Sequence, residues 1–293
     1  MYESILIPYD GSDGAATILH HAGELAHWAG ATVQVLYVAD TTRDSVTVIK
    51  GNTVDALAER GETVVSEAGD TLDSLGVEYS TDVVQGNPAP TIAEYAERYG
   101  YDLVVLPTHG RTGLSRYLIG STTEKVVRLS SVPVLTARMQ PDEQFAFPYD
   151  DVLIPTDGSE TAAHAATHGL SLASSLAATV HVLSVVDANT HDTDLLSTES
   201  AKAPVQPAQD AIDELVSMAA EQGIDTVEQH LETDSPVDGI LDCIETNDID
   251  AVVMGTTGRR GTERILLGSV AETAVRSVPV PVITVGSEDA AHE

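Results

Sequence analysis

The sequence predicts an α/β protein of two tandem domains, each an open sheet of five parallel strands with helices on both faces. Three observations predict it. An internal repeat spans nearly all of the 293 residues. Within each copy, short β-rich apolar runs alternate with longer segments of helical spacing, the pattern of a parallel sheet. The length suits two domains of roughly 145 residues, near the usual domain size.

The repeat decides the architecture. ILIPYDGS (5–12) returns as VLIPTDGS (152–159), and ATVQVLYVAD (31–40) as ATVHVLSVVD (178–187), both at an offset of 147. YDLVVLPTHGRTGLSRYLIGS (101–121) returns as IDAVVMGTTGRRGTERILLGS (249–269) at 148, so one net insertion separates the blocks. SVPVLT (131–136) returns as PVPVITV (279–285). Domains are expected at 1–138 and 150–286, with a linker at 139–149 and an acidic tail at 287–293. The linker has a proline near each end and holds both phenylalanines, Phe145 and Phe147. At least one of them is expected to pack on a domain.

In the first copy, strands are expected at 4–8, 33–38, 80–84, 102–106 and 133–137, and helices at 13–29, 55–75, 89–99 and 121–130. The second copy repeats the strands at 151–155, 179–185, 226–231, 250–254 and 280–285. The stretch 188–207 is rich in Ser, Thr, Asp and Pro and reads as a mobile loop. Ligands of such sheets bind beyond the carboxyl ends of the strands, where strand order reverses.

Composition narrows the class. Apolar residues make up 42% and aromatics 4%, so the cores are built from Val, Leu, Ile and Ala. No run is long enough for a membrane span and the start has no signal layout, so a cytoplasmic protein without membrane insertion is expected. The single cysteine, Cys243, excludes a disulfide framework and reads as a buried small residue. Acidic residues number 46 against 14 basic ones, a net charge of −32. Such a surface repels itself at ordinary ionic strength, and the repulsion fades as the screening length falls to about 3 Å near 1 M salt. The inference is a halophile's cytosol. The same charge argues against nucleic-acid binding, which needs a basic face.

The chemistry sits in two constellations. Gly255 and Gly258 follow the strand AVVM, and after nine residues Gly268-Ser269 opens the last helix, with Ser269 expected as N-cap. Glycines allow close backbone approach, and a helix N-terminus offers N–H groups to an anion. This is a phosphate cradle, or else a set of turns and a cap. Five of the eleven arginines (Arg111, Arg116, Arg259, Arg260, Arg264) fall in the two excursions, which points toward phosphate. Pairing with surface carboxylates is the competing account. The second constellation is Pro8-Tyr9-Asp10-Gly11-Ser12 with its partner Pro155-Thr156-Asp157-Gly158-Ser159. Asp10 and Asp157 could accept hydrogen bonds from a ribose or base, help hold Mg with the phosphates, or cap the first helix.

With PTDGS, HVLSVVD and MGTTGRRGTERILLGSVAETAVRSVPVPVITV in place, the chain resembles the universal stress protein family, twice over. Its nucleotide-binding members carry G-x2-G-x9-G-(S/T), matched by Gly255, Gly258, Gly268 and Ser269. The resemblance implies tandem Rossmann-like domains of the adenine nucleotide alpha hydrolase type. It also implies ATP (or AMP/ADP) as ligand, and a regulatory, stress-response role. Pro155, Thr156 and Asp157 would meet adenine and ribose. Val185 would cover the base with Met254 beside it, and Gly255, Gly258, Gly268, Ser269 and Val270 would take ribose and phosphates. The counterparts are Pro8, Tyr9, Asp10, Val38, Leu106, Gly110, Gly120, Ser121 and Thr122. Arg264 and Arg116 join these sets as phosphate partners from their matching places in the excursions. The resemblance further implies an intrachain pseudo-dimer, and leaves a homodimer and an unknown protein partner open.

The first copy departs where its signature would begin, at Pro107. Proline removes a backbone N–H, so unequal sites are expected, the second the better. Tyr9 in place of Thr156 adds bulk. There is no Walker sequence and no G-x-G-x-x-G after the first strand. His20, His21 and His27, and His164 with His168, read as helix-surface residues rather than metal ligands. No base or nucleophile stands out, so no catalytic residue is assigned. A module that binds no nucleotide, or a slow ATPase or autophosphorylating protein, are the alternatives.

Overall fold

The computed structural model describes residues 1–40, 53–108, 120–138, 145–187, 205–224, 226–257 and 267–286, with the side chains of 53–58 outside that description. The chain divides into two compact units, Met1–Phe147 and Pro148–Glu293. The first runs β1 (Ser4–Pro8), α1 (Asp13–Ala29), β2 (Thr32–Asp40), α2 (Thr53–Leu75), β3 (Tyr79–Gly86), α3 (Pro88–Tyr99), β4 (Leu103–Pro107), α4 (Ser121–Leu129) and β5 (Val134–Ala137). The second runs β6 (Asp151–Pro155), α5 (Glu160–Leu176), β7 (Thr179–Asp187), α6 (Val205–Glu221), β8 (Val227–Asp234), α7 (Pro236–Thr246), β9 (Ala251–Gly255), α8 (Ser269–Ser277) and β10 (Val282–Val285).

Within the first unit the strands lie in the order β3-β2-β1-β4-β5, and within the second β8-β7-β6-β9-β10. The pairings inside each unit are parallel. Consecutive residues of the central strands are buried, as in Ile5-Leu6-Ile7 and Val152-Leu153-Ile154. A strand buried at successive positions has both sheet faces covered, which accounts for its unbroken apolar run. The α/β class expected from the alternation is what the chain adopts. Strands β2 and β7 run two residues past their expected ends because β3 and β8 stay paired with them to Asp40↔Gly86 and Asp187↔Asp234.

One carboxylate fixes the start of each sheet. Asp102 Oδ2 accepts the Glu3 and Ser4 N–H groups at 2.8 and 2.9 Å, and Asp250 Oδ2 accepts those of Asp150 and Asp151 at 2.7 and 3.1 Å. Helix ends are equally repetitive. Ser12 and Ser159 cap α1 and α5 by accepting the Ala15 and Ala162 N–H groups. Gly30 closes α1 in the left-handed region at φ 64°, whereas the matching residue of α5 is Ala177 at φ 57°. A Cβ there is held against the following carbonyl at a cost of about 1 kcal/mol. Ala177→Gly is expected to stabilise the second unit by about that amount, seen as a rise in the denaturation midpoint at unchanged slope.

Three expectations need correction. Residues 205–207, read as the end of a loop, open α6, and the rest of that stretch lies outside the described residues. His21 is not a surface residue: it is 2% exposed, with the Phe145 and Phe147 rings edge-on at 5.5 and 5.9 Å. Burial, and then His20, lower its pKa to about 4, so it stays neutral. Phe147 also meets Trp28 at 5.8 Å, so both linker phenylalanines pack on α1. Likewise His168 is half-buried, and burial and then His164 lower its pKa to about 4. Cys243 is buried as expected, and burial pushes its thiol up to about 11.

Candidate functional site

From β6 the second unit's chain works outward to β8, then crosses to β9 and β10 on the other side, so its strand order reverses between β6 and β9. The first unit reverses between β1 and β4. A crevice opens outside the carboxyl ends of strands at such a point. Both constellations meet at this edge.

At the end of β6, Thr156 is held by three bonds. Its N–H donates to Leu183 O at 2.8 Å, its carbonyl accepts from Ser184 Oγ at 2.9 Å, and its Oγ1 accepts the Gly158 N–H at 3.1 Å. Exposed Asp157 accepts the Ser159 N–H at 3.0 Å through Oδ1, an Asx turn. Asp10 does the same for Ser12 at 3.0 Å. Of the roles open to these aspartates, capping is therefore excluded, because Ser12 and Ser159 take it. Gly11 and Gly158 supply the turns at φ 74° and 71°, a region other residues rarely enter. Buried Tyr9 replaces Thr156 in the first unit, and its ionisation is suppressed by burial first, then by Glu67 and Asp10. Helix α2 also approaches the neighbouring Gly11 through Val64, 3.3 Å from where a Cβ would lie.

At the end of β9, Thr256 N–H donates to Val285 O at 3.0 Å, and Thr256 O accepts the Gly268 N–H at 2.7 Å. This second bond ties the start of α8 to the strand end. Thr108 and Gly120 repeat it at 2.7 Å. The N-cap of α8 is Gly268, with φ −63° and ψ 145° and no side-chain cap bond; Ser269, expected as the cap, is the first helical residue. The Glu272 N–H bonds to Gly268 O, and this sets the helix start one residue early. Gly120 caps α4 in the same side-chain-free way. Backbone N–H groups at such an end are open to an anion.

The other expected residues distribute as follows. Val38 and Val185 are half-buried near the ends of β2 and β7, and α7 packs on Val185 so closely that a Cβ on Gly239 would lie 2.8 Å from it. Leu106 and Met254 are buried, Pro8 is buried, and Pro155 is half-buried. Ser121 and Ser269 are exposed, with Thr122 and Val270 half-buried. Gly110, Arg116, Gly258 and Arg264 lie outside the described residues, as do Arg111, Arg259 and Arg260.

Sequence reasoning missed Thr161. It sits in the first turn of α5, its Oγ1 3.2 Å from Thr257 Oγ1, and a Cβ on Gly255 would lie 3.0 Å from both Thr161 Cγ2 and its carbonyl oxygen. The signal was present in the repeat: Gly255 and Thr161 correspond to Pro107 and Gly14, so both positions change together.

The family model for universal stress proteins matches residues 1–138 and 148–286. The chain belongs to the universal stress protein family. Two relatives each match about half of the chain. A universal stress protein of Methanocaldococcus jannaschii is 36% identical over 141 residues, 47% of this chain and 83% of that protein. The universal stress protein YxiE of Bacillus subtilis is 30% identical over 148 residues, 47% of this chain and all of that protein. The crystal structure of a universal stress protein from Archaeoglobus fulgidus aligns with a TM-score of 0.74 at 23% identity, covering 97% of this chain and 98% of that one. It shares the fold across both units of this universal stress protein. Among the described residues no helix is long and apolar enough to cross a membrane.

Proposed function

We propose that this universal stress protein binds an adenine nucleotide, ATP or its AMP and ADP relatives, and acts as a regulatory protein rather than an enzyme. The observation that carries the reading is the uncapped start of α8, tied through Gly268 to the end of β9 at the point of strand reversal. Its first-turn amides would take the phosphates. Gly255 lets backbone approach, and the Pro155-Thr156-Asp157 turn and Val185 would meet ribose and base. Asp157 would help hold Mg with the phosphates, and Arg264 would add charge. In the first unit Pro8, Tyr9, Asp10, Val38, Gly120, Ser121 and Thr122 would form a weaker counterpart. A cytoplasmic location and an intrachain pseudo-dimer with a further protein partner complete the proposal.

The arithmetic of charge dictates the test. An anion approaching a protein of net charge −32 meets long-range repulsion unless salt screens it. Calorimetric titration with Mg-ATP in molar KCl is expected to give one strong site per chain and a second, weaker one. Folded protein that gives no heat would sink the proposal in favour of an interaction module, a reading favoured by Thr156, whose carbonyl, N–H and Oγ1 are all engaged internally. Phosphate release well above a protein-free control would favour the slow ATPase.

A further inference from the structure

At the other end of the second sheet, the amino ends of β6, β7 and β8 bring together side chains that the nucleotide reading does not use. His181 lies opposite Glu228, and Leu183 opposite His230, so His181, Glu228 and His230 share one sheet face. Asp151 joins that face through the pairing of Leu153 with His181. His181 is 2% exposed, His230 half-buried and Glu228 open to solvent. His181 Nε2 lies 2.9 Å from Asp151 Oδ1, a carboxylate oxygen that can only accept, so in the neutral ring the lone pair falls on Nδ1. That Nδ1 is 3.1 Å from His230 Nε2 and 3.8 Å from Glu228 Oε2. The two rings differ by 8° in plane with centroids 5.3 Å apart. Given the 3.1 Å between nitrogens, the rings meet edge to edge, at a distance where an N–H on His230 Nε2 donates to a lone pair on His181 Nδ1.

We propose that His181, His230 and Glu228 form a three-ligand site for a divalent transition-metal ion, zinc being the type, with Asp151 as the residue that orients His181. One ligand atom from each of the three falls within 4.8 Å of the others. Two nitrogens on one zinc at about 2.0–2.1 Å in tetrahedral array stand roughly 3.3 Å apart, close to the separation found here. To ligate through Nε2, a neutral His230 would tilt and carry its proton on Nδ1, which frees the Nε2 lone pair and releases no proton. A carboxylate behind a ligating histidine is the usual outer support of such a site, and three protein ligands leave a fourth position for water.

The first unit shows that the fold does not require this cluster. Gln34 holds the place of His181, with Ser80 and Asp82 on the neighbouring strand and Ser4 in place of Asp151. There Gln34 Oε1 accepts from Ser80 Oγ at 2.7 Å and its Nε2 donates to Val35 O at 3.1 Å, while Tyr95 Oη donates to Asp82 Oδ2 at 3.0 Å. A hydroxyl–amide network fills the same position without an imidazole.

The test uses the full chain, stripped by chelator, in molar KCl with excess Mg to saturate weak acidic sites and no nucleotide. Zinc competed against a chromophoric chelator is expected to bind at one per chain, and cobalt at the same site to give the intense visible bands of tetrahedral coordination. His230→Gln and Glu228→Gln should each weaken zinc at least about tenfold, and Asp151→Asn about 10- to 100-fold. His181→Gln, the residue of the first unit, should abolish the site with the circular dichroism unchanged. Changing His164 and His168 together to Gln should leave binding intact. Zinc binding indifferent to His230→Gln and Glu228→Gln, or folded protein with no zinc site above the acidic background, would overturn the proposal.

Discussion

Gly268→Val is expected to remove nucleotide binding from the second unit, weakening it more than about 100-fold, while leaving the fold in place. The backbone at Gly268, φ −63° and ψ 145°, is extended and open to any residue, so valine adds no strain there. No side-chain cap is lost, because glycine provides none. Valine is a poorer N-cap than glycine, a cost of about 1 kcal/mol, which moves the midpoint of a domain this size by about 2–4 °C. Its isopropyl group, however, would stand beside the first-turn amides of α8, where the phosphates of the proposed ligand belong. A steric block at that position outweighs the small loss of stability. Titration with Mg-ATP in molar KCl reads the affinity and circular dichroism reads the fold. Gly120→Val should do the same to the weaker site of the first unit alone. Unchanged affinity in Gly268→Val would mean that the phosphates do not lie at α8.

Most of the fold was legible because local and global signals agree. Helix α1 falls at residues 13–29, as read, since Ser12 caps one end and Gly30 closes the other. The central strands announce themselves as unbroken apolar runs because both sheet faces are covered. What escaped the sequence depends on partners distant along the chain. His21 reads as a surface residue until Phe145 and Phe147, more than 120 residues on, are brought over it. The His181–His230 pair spans 49 residues, and strand register alone brings the two nitrogens together. No motif spacing encodes that. The Ser269 cap failed for a subtler reason. Serine is a favoured cap by type, but the Glu272–Gly268 bond places the helix start at the glycine, and composition cannot see a single hydrogen bond. The arginines of the two excursions fall outside the described residues, so their reading rests on sequence alone.

The inequality of the two units can be measured by exchanging one pair of residues. In parallel strands, alternate residues bond to opposite neighbours. Val252 and Thr256 donate toward the β10 side, to Pro281 O and Val285 O, so the Gly255 amide faces β6. There the β6–β9 register has ended at Leu153↔Val252, so the ladder with β6 does not reach that amide. Val104 and Thr108 donate toward β5 in the same way, so Pro107 costs no bond to β5, only an N–H on the β1 side, past the end of the register at Leu6↔Val104. Gly255→Pro is therefore expected to act twice. Its Cβ would lie 3.0 Å from Thr161 Cγ2 and from the Thr161 carbonyl oxygen, which as helix backbone cannot move aside, at a cost of about 1–3 kcal/mol. It would also take one N–H from the proposed phosphate cradle. Thr161→Gly reproduces Gly14 of the first unit and removes the methyl half of the clash. Chemical denaturation of the single and double variants is expected to show coupling of at least about 0.5 kcal/mol, the double being more stable than the sum of its parts predicts. Nucleotide affinity should not recover with stability, because Thr161→Gly restores space and not the amide. A double variant that regains both would show that Pro107 distinguishes the units by packing alone.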